Sequence, residues 1–351
     1  MSDVDRGDLR VRVQAALDTF IAAQLPALSA VSPELVPLTD ALSELVSGGK
    51  RLRPAFCYWA HLGAGGDDSD ALVVAAASLE LFQACAIIHD DVMDQSDTRR
   101  GKPAVHRRFA ALHRGEDWHG DPESFGAGAA ILLGDLCLSW SDQMLTTSGA
   151  PGLAEGKGVY DAMRSELMGG QYLDLLEQAR GGGSVERALR VARYKSAKYT
   201  IEKPMHLGAT LAGAGQEVLD ACSGYGLPLG EAFQLRDDVL GVFGDPAQTG
   251  KPAGDDLREG KRTALVAMAL ETASPAQASV VRRHLGDPHL GEEGVSALRT
   301  VLSDTGAVER VEKLITTLME DAMAALAAAP WTEPAREALG RLAVAATART
   351  V

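Results

Sequence analysis

Apolar residues recur every three to four positions along most of this chain, the spacing that gathers them on one face of a helix. The sequence has no convincing run of the two-residue alternation expected of a half-buried strand. Ala, Leu, Glu and Arg are abundant in the periodic stretches. Helices are predicted over residues 8–24, 35–47, 54–62, 71–94, 125–147, 158–180, 185–201, 205–211, 216–242, 264–272, 294–305 and 307–328. The pattern therefore predicts an all-α fold.

Short clusters of turn-forming residues separate these predicted helices. Examples are the sequences GAGGDDSD, SGAPG and RGGGS. No connection is long enough, or biased enough in composition, to indicate a flexible linker between domains. We therefore expect residues 1–351 to form a single domain.

The most apolar stretch, residues 71–88 with the sequence ALVVAAASLELFQACAII, is long enough to resemble a membrane span. Glu80 and Gln83 interrupt it near the middle, and aspartates follow at its end. Polar groups at these positions favour a helix that is buried on all sides of a large bundle. We therefore expect the central helix of the fold here, and a chain that does not span a membrane.

Composition narrows the classes of function. The chain has 351 residues, of which 46% are hydrophobic and 23% charged, and this excludes a disordered protein. Acidic residues outnumber basic ones by 48 to 34, a formal charge of −14, so the general surface does not suit nucleic acid. The charged N-terminal sequence MSDVDRGDLRVRVQ predicts neither a signal peptide nor a membrane anchor.

The four cysteines carry no chemistry that their spacing reveals. Cys57, Cys85, Cys137 and Cys222 lack the spacing of metal ligands or of a redox pair. Scattered cysteines of this kind are typical of buried thiols in a reducing compartment. We therefore expect a cytoplasmic protein.

The sequence HDDVMDQSDTRRG, residues 89–101, is the first segment with candidate chemistry. If the helix continues to Asp94, the carboxylates of Asp90, Asp91 and Asp94 converge at its C-terminal end. Like charges at that end repel one another and oppose the helix dipole. Mg²⁺ is commonly held by one or two carboxylates together with ligand phosphates. A magnesium site is the functional interpretation, and a solvated acidic helix end is the alternative for this motif alone.

A second acidic helix end follows in the sequence FQLRDDVLGVFGD, which contains Asp237 and Asp238. Gly241 stands where a third carboxylate would complete the pattern. If the two acidic ends face each other across a cleft, they could share metal ions. A cleft that binds diphosphates also needs cationic side chains. The candidates are Lys50, Arg51, Arg53, Arg99, Arg100, Lys195, Lys251 and Lys261. Carboxylates with Mg²⁺ bind one diphosphate and the cations a second, so two diphosphate substrates are predicted.

Six motifs, taken in order, resemble those of the trans-polyprenyl diphosphate synthases. They extend from residue 48 to residue 263 and read GGKRLRP, HDDVMDQSDTRRG, GGQYLDL, YKSAKY, FQLRDDVLGVFGD and GKPAGDDLREGKRT. The resemblance implies an all-helical isoprenoid-synthase bundle around a central cleft, usually a homodimer. It also implies an enzyme that uses Mg²⁺ to join isopentenyl diphosphate to an allylic diphosphate.

The resemblance implies roles for the acidic residues and their neighbours. The implied ligands of Mg²⁺ on the allylic diphosphate are Asp90, Asp94 and Asp237, with Asp91 and Asp238 in support. The residues implied to orient the metal site are Gln171 and Asp174. The residues implied to line the reacting centre are Lys195, Ser196 and Gln234. Ser196 departs from the Thr that is common in the family, but it keeps the hydroxyl group.

The resemblance also divides the cations between the two substrates. Those implied to contact the allylic diphosphate are Arg99, Lys195 and Lys251. Those implied to hold isopentenyl diphosphate, together with one amide side chain, are Lys50, Arg53, Gln83 and Arg100. Lys261 is expected to close over the pocket late in the reaction.

Product length is predicted from the helix below the first acidic motif. Counting back from Asp90, Ala86 lies one turn down and Phe82 two turns down, with Cys85 beside them. Farnesyl-making relatives usually carry bulky aromatic residues at the positions of Cys85 and Ala86. Phe82, about 12 Å below Asp90 at ~1.5 Å per residue, is then the expected stop. We therefore expect geranylgeranyl diphosphate, with farnesyl or a longer prenyl diphosphate as alternatives.

Three other kinds of protein remain as alternatives. A class I terpene cyclase shares the ionisation site, but it normally has an Asn/Ser/Glu metal motif in place of DDVLG and does not need GGKRLRP. A non-catalytic regulatory subunit tends to lose the aspartates or arginines that this chain retains. A helical interaction protein has no use for the ordered diphosphate-binding groups.

Overall fold

The computed structural model describes residues 4–244 and 254–347. In the first of these ranges the helices are α1 (Val4–Val31), α2 (Val36–Val46), α3 (Leu52–Gly63), α4 (Asp70–Met93), α5 (Val105–Gly115), α6 (Pro122–Thr146), α7 (Leu153–Arg180), α8 (Val185–Val191), α9 (Lys203–Leu211) and α10 (Gln216–Phe243). In the second they are α11 (Asp255–Arg258), α12 (Ala264–Thr272), α13 (Pro275–His284), α14 (Glu292–Asp304), α15 (Ala307–Ala328) and α16 (Glu333–Thr347). The strands within these ranges are β1 (Thr98–Arg99) and β2 (Lys102–Pro103). The predicted all-α fold is confirmed.

The chain divides into two compact units. The first consists of Met1–Tyr58 and Gly66–Ala154, and the second of Trp59–Gly65 and Glu155–Val351. The chain passes from the first unit to the second within α3, returns to the first after Gly65, and passes to the second again near the start of α7. That residues 1–351 form a single domain stays a prediction.

The centre of the first unit is α4. The helix starts at the N-cap residue Ser69, whose side chain accepts a hydrogen bond from the backbone N–H of Leu72 at 3.2 Å. Its buried residues point in every direction around the helix axis, and α1, α2, α5 and α6 pack around it. Because most of its surface is covered by these helices, the usual polar stripe is absent from its sequence.

Among the helices of residues 4–244 and 254–347, α4 and α6 are long and apolar enough to cross a membrane by length and composition alone. Most of the apolar stretch of α4 is buried within the protein, as is expected of a core helix. Less of α6 is buried, and Ile131 and Leu132 of α6 are exposed. The sequence-based expectation of a buried central helix is therefore correct for α4.

The second unit is built around α10, which packs against α9, α15 and the segment before α9. The apolar core beside the C-terminal half of α10 includes Leu235 and Val239, together with Leu257 and Leu265 from later elements. This packing fixes the acidic end of α10.

The observed elements differ from the predicted ones at several places. Predicted boundaries match for α12 and α15, whereas α5, α11, α13 and α16 were not predicted. The largest difference is at residues 185–201, where one helix was expected. Only α8 is an ordinary α-helix there, and Ala192–Glu202 forms a π-helical segment with a wider turn. This segment carries two of the predicted site residues.

Candidate active site

The acidic end of α4 has the geometry that its spacing predicts. The helix ends at Met93, and Asp94 caps it by donating its backbone N–H to the carbonyl oxygen of Asp90 at 2.8 Å. Asp90 and Asp94 are therefore one helical turn apart. Asp91 is buried, with an exposed fraction of 1%, whereas Asp90 and Asp94 are half-buried.

A short hairpin returns the arginine pair to this helix end. Strands β1 and β2 pair antiparallel, and the turn between them consists of Arg100 (φ +54°) and Gly101 (φ +74°). Positive φ at both central residues is characteristic of the type I′ turn of two-residue hairpins. Arg99 Nε donates to Asp91 Oδ1 at 2.9 Å, and Arg99 Nη2 lies 3.7 Å from Asp90 Oδ2. The buried Asp91 thus orients a cation beside Asp90.

Arg100 lies in a cluster of positive charge in the first unit. Burial lowers its pKa, Glu80 raises it, and the nearby charges of Arg51, Arg99 and Arg53 lower it further. Such a concentration of guanidinium groups favours an anionic ligand.

A small polar pocket lies at this cluster. Gln83 and Arg100 line it together with Arg51 and Glu80. Arg100 Nη1 also donates to the carbonyl oxygen of Leu45 at 3.1 Å, which fixes the guanidinium at the pocket. The structure therefore brings together two residues predicted for isopentenyl diphosphate, one from α4 and one from the hairpin turn.

The ion pair between Arg51 and Glu80 is a feature that sequence reasoning missed. Both side chains are buried, and Arg51 also donates to the carbonyl oxygen of Val46 and to Gln14 Oε1. Arg51 has φ +52°, a strained conformation for a residue with a side chain. A lone glutamate in an apolar helix was the available signal, since a buried carboxylate needs a partner.

The remaining cations of the GGKRLRP motif lie next to Arg51. Lys50 is exposed just before α3, and Arg53 is half-buried in the first turn of α3. Their predicted contacts with isopentenyl diphosphate stay predictions.

The predicted chain-length residues lie on α4 below Asp90. Phe82 and Cys85 are fully buried, and Ala86 is half-buried. Burial raises the pKa of the Cys85 thiol to about 12, and its Sγ lies 3.7 Å from His89 Nδ1. Protein atoms surround these positions, and their effect on product length stays a prediction.

Gly134 of α6 brings that helix close to α4. A Cβ atom at Gly134 would overlap the ring of His89. His89 Nε2 lies 3.2 Å from the carbonyl oxygen of Ile131, so the histidine joins the two helices. This is a structural use of His89 rather than metal ligation.

In the second unit, the π-helical segment carries Lys195 and Ser196. Lys195 Nζ donates to Asp174 Oδ2 of α7 at 2.6 Å, and both side chains are largely buried. Asp174 was predicted to orient the metal site, and in this structure it orients Lys195. A charge-assisted hydrogen bond of this kind restricts a long and otherwise mobile side chain.

Glycines allow neighbouring helices to reach the π-helical segment. A Cβ atom on Gly170 of α7 would lie 2.6 Å from the backbone carbon of Tyr194. A Cβ atom on Gly230 of α10 would lie 2.6 Å from Ala197 Cα. Both distances are too short for a side chain, so the wide turn is enclosed by helices that carry glycine at the contact.

The acidic end of α10 contains a buried and a half-buried carboxyl group, Asp238 and Asp237. Gln234 Nε2 donates to Asp238 Oδ1 at 2.7 Å. Burial raises the pKa of Asp238 to about 7, against the lowering effect of this hydrogen bond. The charges of Asp256 and Asp237 also contribute to this rise in pKa, whereas Lys261 opposes it.

Of the two late lysines, only one lies in a described range. Lys261 Nζ lies 2.6 Å from Glu259 Oε2 and 3.2 Å from Asp256 Oδ1. Lys251 lies outside the described residues. Asp256 was not among the predicted site residues, although the motif GKPAGDDLREGKRT contains it.

The donor atoms fit a hard divalent cation. Across residues 4–244 and 254–347, no group of three or more His, Cys, Asp and Glu side chains forms a ready-made metal site. Mg²⁺ does not require one, since it usually retains water and binds through one or two carboxylates plus substrate phosphates. Asp90 and Asp94 at one helix end, and Asp237 at another, offer carboxylate oxygens of this type.

Comparison with known proteins identifies relatives along most of the chain. The sequence model of the Polyprenyl synthetase family matches residues 36–302. A geranylfarnesyl diphosphate synthase of Aeropyrum pernix is 32% identical over 83% of this chain and 86% of its own length. A geranylgeranyl diphosphate synthase of Mycobacterium tuberculosis is 33% identical over 80% of this chain and 75% of its own.

A solved structure has the same fold. It is a geranylgeranyl pyrophosphate synthase from Corynebacterium glutamicum, complexed with isoprenyl diphosphate and magnesium. The two chains share 43% identity with a TM-score of 0.93, over 96% of this chain and 98% of the other. The match extends over nearly the whole of both proteins, and this chain belongs to the polyprenyl synthetase family.

Proposed function

We propose that this protein condenses isopentenyl diphosphate with an allylic diphosphate in a Mg²⁺-dependent reaction, and that its end product is geranylgeranyl diphosphate. Membership of the polyprenyl synthetase family supports a prenyltransferase. The observation that carries the proposal is the pairing of Arg99 with Asp91 beside Asp90. It sets a guanidinium next to metal-binding carboxylates, and a diphosphate bound through a cation needs both.

The allylic diphosphate is assigned to the acidic residues. Asp90, Asp94 and Asp237 are the proposed ligands of Mg²⁺, with Asp91 and Asp238 in support. Asp91 acts through Arg99, which it orients. The cations proposed to contact the same diphosphate are Arg99, Lys195 and Lys251.

Isopentenyl diphosphate is assigned to the arginine cluster of the first unit. Gln83 and Arg100 line its polar pocket, and Lys50 and Arg53 complete the proposed set. Arg51 and Glu80 support it as a buried ion pair. Burial and, to a smaller extent, the surrounding arginines lower the pKa of Arg100, as is expected of a site built for a multiply charged anion.

The reaction begins with cleavage of the allylic C–O bond. Bound Mg²⁺ would neutralise charge that develops on the leaving diphosphate. Arg99 and Lys195 donate hydrogen bonds to that diphosphate, and Asp91 and Asp174 hold the two donors in place beforehand. The double bond of isopentenyl diphosphate attacks the allylic carbocation, and a new C–C bond forms.

A proton then leaves the new product and passes to the departing diphosphate, so no protein base is required. The side chains of Ser196 and Gln234 line the reacting centre in this proposal. Water has to be excluded because it would trap the carbocation. Closure that brings in Lys261 serves this purpose.

Product length is assigned to α4. Phe82 is fully buried two turns below Asp90, and the smaller Cys85 and Ala86 lie between them. The presence of small residues above a buried phenylalanine supports a product longer than farnesyl diphosphate. The named relatives include a geranylgeranyl and a geranylfarnesyl synthase, so the longer product is the competing possibility.

The proposed assembly is a cytoplasmic homodimer that does not bind nucleic acid and does not span a membrane. Exposed apolar residues on α6, including Ile131 and Leu132, offer a surface for a second copy. The excess of acidic over basic residues argues against nucleic acid as a partner.

Incubation of the purified protein with radiolabelled isopentenyl diphosphate and farnesyl diphosphate tests the proposal. We expect label to enter a longer prenyl diphosphate only when Mg²⁺ is present. Asp90→Asn is expected to reduce the rate by at least about a hundredfold, as loss of a transition-state interaction does. The exposed Asp117→Asn is the matched control and should retain activity.

The alternatives give different results in the same assay. A cyclase would release diphosphate from the allylic substrate without isopentenyl diphosphate. A regulatory subunit or an interaction protein would leave both substrates unchanged. Either outcome would contradict the proposal.

A further inference from the structure

Gly241 leaves a notch on α10 one helical turn beyond Asp237. A third carboxylate at this position would complete the acidic pattern, and the chain has none there. The side chain of Asp256 fills the notch instead. A Cβ atom on Gly241 would overlap Asp256 Oδ2 and lie 2.6 Å from Asp256 Cγ. Any side chain at residue 241 would therefore have to displace Asp256.

The backbone around Asp256 is fixed by packing and hydrogen bonds. Leu257 is only 1% exposed and belongs to the apolar core of the second unit. Its carbonyl oxygen accepts a hydrogen bond from the N–H of Gly286 at 2.9 Å, and the N–H of Lys261 donates to the carbonyl oxygen of Asp256 at 3.1 Å. The position of the Asp256 side chain thus follows from an anchored segment, Gly254 to Lys261.

Asp256 forms an ion pair with a residue of the proposed site. Its Oδ1 lies 3.2 Å from Lys261 Nζ, and the side chains of both residues are more than four-fifths buried. A carboxylate in the notch therefore links Lys261 to the acidic end of α10.

We propose that Asp256 supplies, from a separate segment, the carboxylate that α10 lacks at Gly241, and that it positions Lys261 at the acidic end of α10. Gly241 and Asp256 then form one functional pair, in which the glycine provides the space and the aspartate provides the charge. The inference rests on the proposed binding of diphosphate with Mg²⁺ at this helix end. Asp256 acts as a positioning residue, through Lys261.

An exchange of the two residues tests the pair. Gly241→Asp alone forces two carboxylates into one space, and Asp256→Ala alone leaves the space without a carboxylate. The double variant Gly241→Asp/Asp256→Ala restores one carboxylate, now carried by α10. The matched control is Gly241→Asp/Asp255→Ala, which has the same net charge but retains Asp256, so that two carboxylates still compete for the notch.

The measurement is the thermal unfolding of each full-length protein with MgCl₂ and increasing inorganic diphosphate. In the wild type, we expect Mg²⁺ and diphosphate together to raise the melting temperature. Each single variant should need about tenfold more diphosphate for the half-maximal shift, the usual effect of losing a group that orients a metal site. The double variant should return to within about threefold of the wild type, and the control pair should not recover.

Asp256→Asn separates positioning from folding, because it preserves shape and removes charge. Its melting temperature without ligand should remain close to that of the wild type, while its requirement for diphosphate rises about tenfold. The KM for the allylic substrate should rise in the same order across the set of variants.

Two outcomes would overturn the inference. One is a double variant no better than the sum of its single changes, and the other is equal recovery in the Asp255 control. Failure of the proposed function is recognised separately: a wild type that Mg²⁺ and diphosphate do not stabilise contradicts both proposals. A stabilised wild type without recovery on exchange contradicts only the role of Asp256.

Discussion

Asp174 Oδ2 accepts a hydrogen bond from Lys195 Nζ at 2.6 Å, and this pair joins α7 to the π-helical segment Ala192–Glu202. Lys195 is one of the cations proposed for the allylic diphosphate. A fixed ammonium group is ready to bind, whereas a mobile one has to be ordered during binding. The pair therefore connects the unusual helix geometry to the chemistry.

Asp174→Asn should release Lys195 without removing it. We expect kcat/KM for the allylic substrate to fall about tenfold, because a group that orients a ligand-binding side chain usually contributes an effect of that size. The KM for isopentenyl diphosphate should change little. Steady-state kinetics with each substrate varied in turn provide the measurement.

Glu166→Gln is the matched control for Asp174→Asn. Glu166 also lies on α7, and it accepts a hydrogen bond from Lys198 of the same π-helical segment at 2.9 Å. Its partner is not assigned to either substrate. An equal loss of kcat/KM in this variant would mean that Asp174 acts only by stabilising the segment.

Gly230→Ala tests the close contact between α10 and the π-helical segment. The added Cβ would lie 2.6 Å from Ala197 Cα and 2.8 Å from its carbonyl oxygen, so backbone has to move. We expect a loss of about 1–3 kcal/mol in the free energy of unfolding, measured by urea denaturation.

Gly158→Ala on α7 is the control for that substitution. A Cβ atom at Gly158 would meet nothing within 4 Å. Alanine is the better helix former, so the same change should stabilise the protein by about 0.5–1 kcal/mol. Similar effects at both positions would show that packing against Ala197 does not matter.

His206 makes stability depend on pH. Burial lowers its pKa; Glu202 opposes this effect, whereas Lys203 and Lys198 add to it. Below about pH 6.5 the unfolded state then binds more protons than the folded state at this residue. The free energy of unfolding should therefore fall as the pH drops below about 6.5, and the contribution of His206 should be constant above that value.

His206→Gln should make that fall shallower when denaturation is followed between about pH 5 and about pH 7.5. Glutamine retains a polar group that can reach Ser223, which lies 2.9 Å from His206 Nε2. The exposed His119→Gln serves as the control. If both variants keep the wild-type slope, His206 is not the cause.

Phe82→Ala should lengthen the product. Phe82 is fully buried, and its removal opens space below Cys85 and Ala86 for further isoprene units. Mass spectrometry of the prenyl diphosphates would detect the shift. The fully buried Phe56 of α3 provides the control Phe56→Ala, which should destabilise the protein while leaving product length unchanged. An unchanged product in Phe82→Ala would remove this residue from the account.

Leu132→Glu should weaken the proposed homodimer. Leu132 of α6 is 66% exposed, and a charge placed in an apolar interface is costly. Light scattering coupled to size exclusion should detect a shift from dimer to monomer. Val11→Glu on α1, at 67% exposure, is the matched control. A monomeric wild type, or equal dissociation of both variants, would contradict the proposed surface.

Features that depend on local spacing were predictable from the sequence. The bounds of α12 and α15 match because apolar periodicity and helix-forming residues both end there. Asp90 and Asp94 are one turn apart because the helix between them is regular. The polar residues Glu80 and Gln83 within the apolar sequence of α4 likewise indicated a core helix. Glu80 indeed forms a buried ion pair with Arg51.

Features that depend on distant contacts were not predictable. The π-helical segment has no sequence signature of its own, because its wide turn is accommodated by Gly170 and Gly230 of other helices. Asp256 reaches the notch at Gly241 through the fold rather than through a motif spacing. The charged helix α13 was missed because Val281 is its one buried residue, and α5 was missed because two of its five buried residues are histidines, His106 and His113.

The most direct test of the central claim is the product that the purified wild-type chain makes from isopentenyl diphosphate and farnesyl diphosphate. The account predicts that mass spectrometry will find geranylgeranyl diphosphate as the end product, and only in the presence of Mg²⁺. Farnesyl diphosphate left unextended, a cyclised hydrocarbon, or product formed equally well without Mg²⁺ would contradict it.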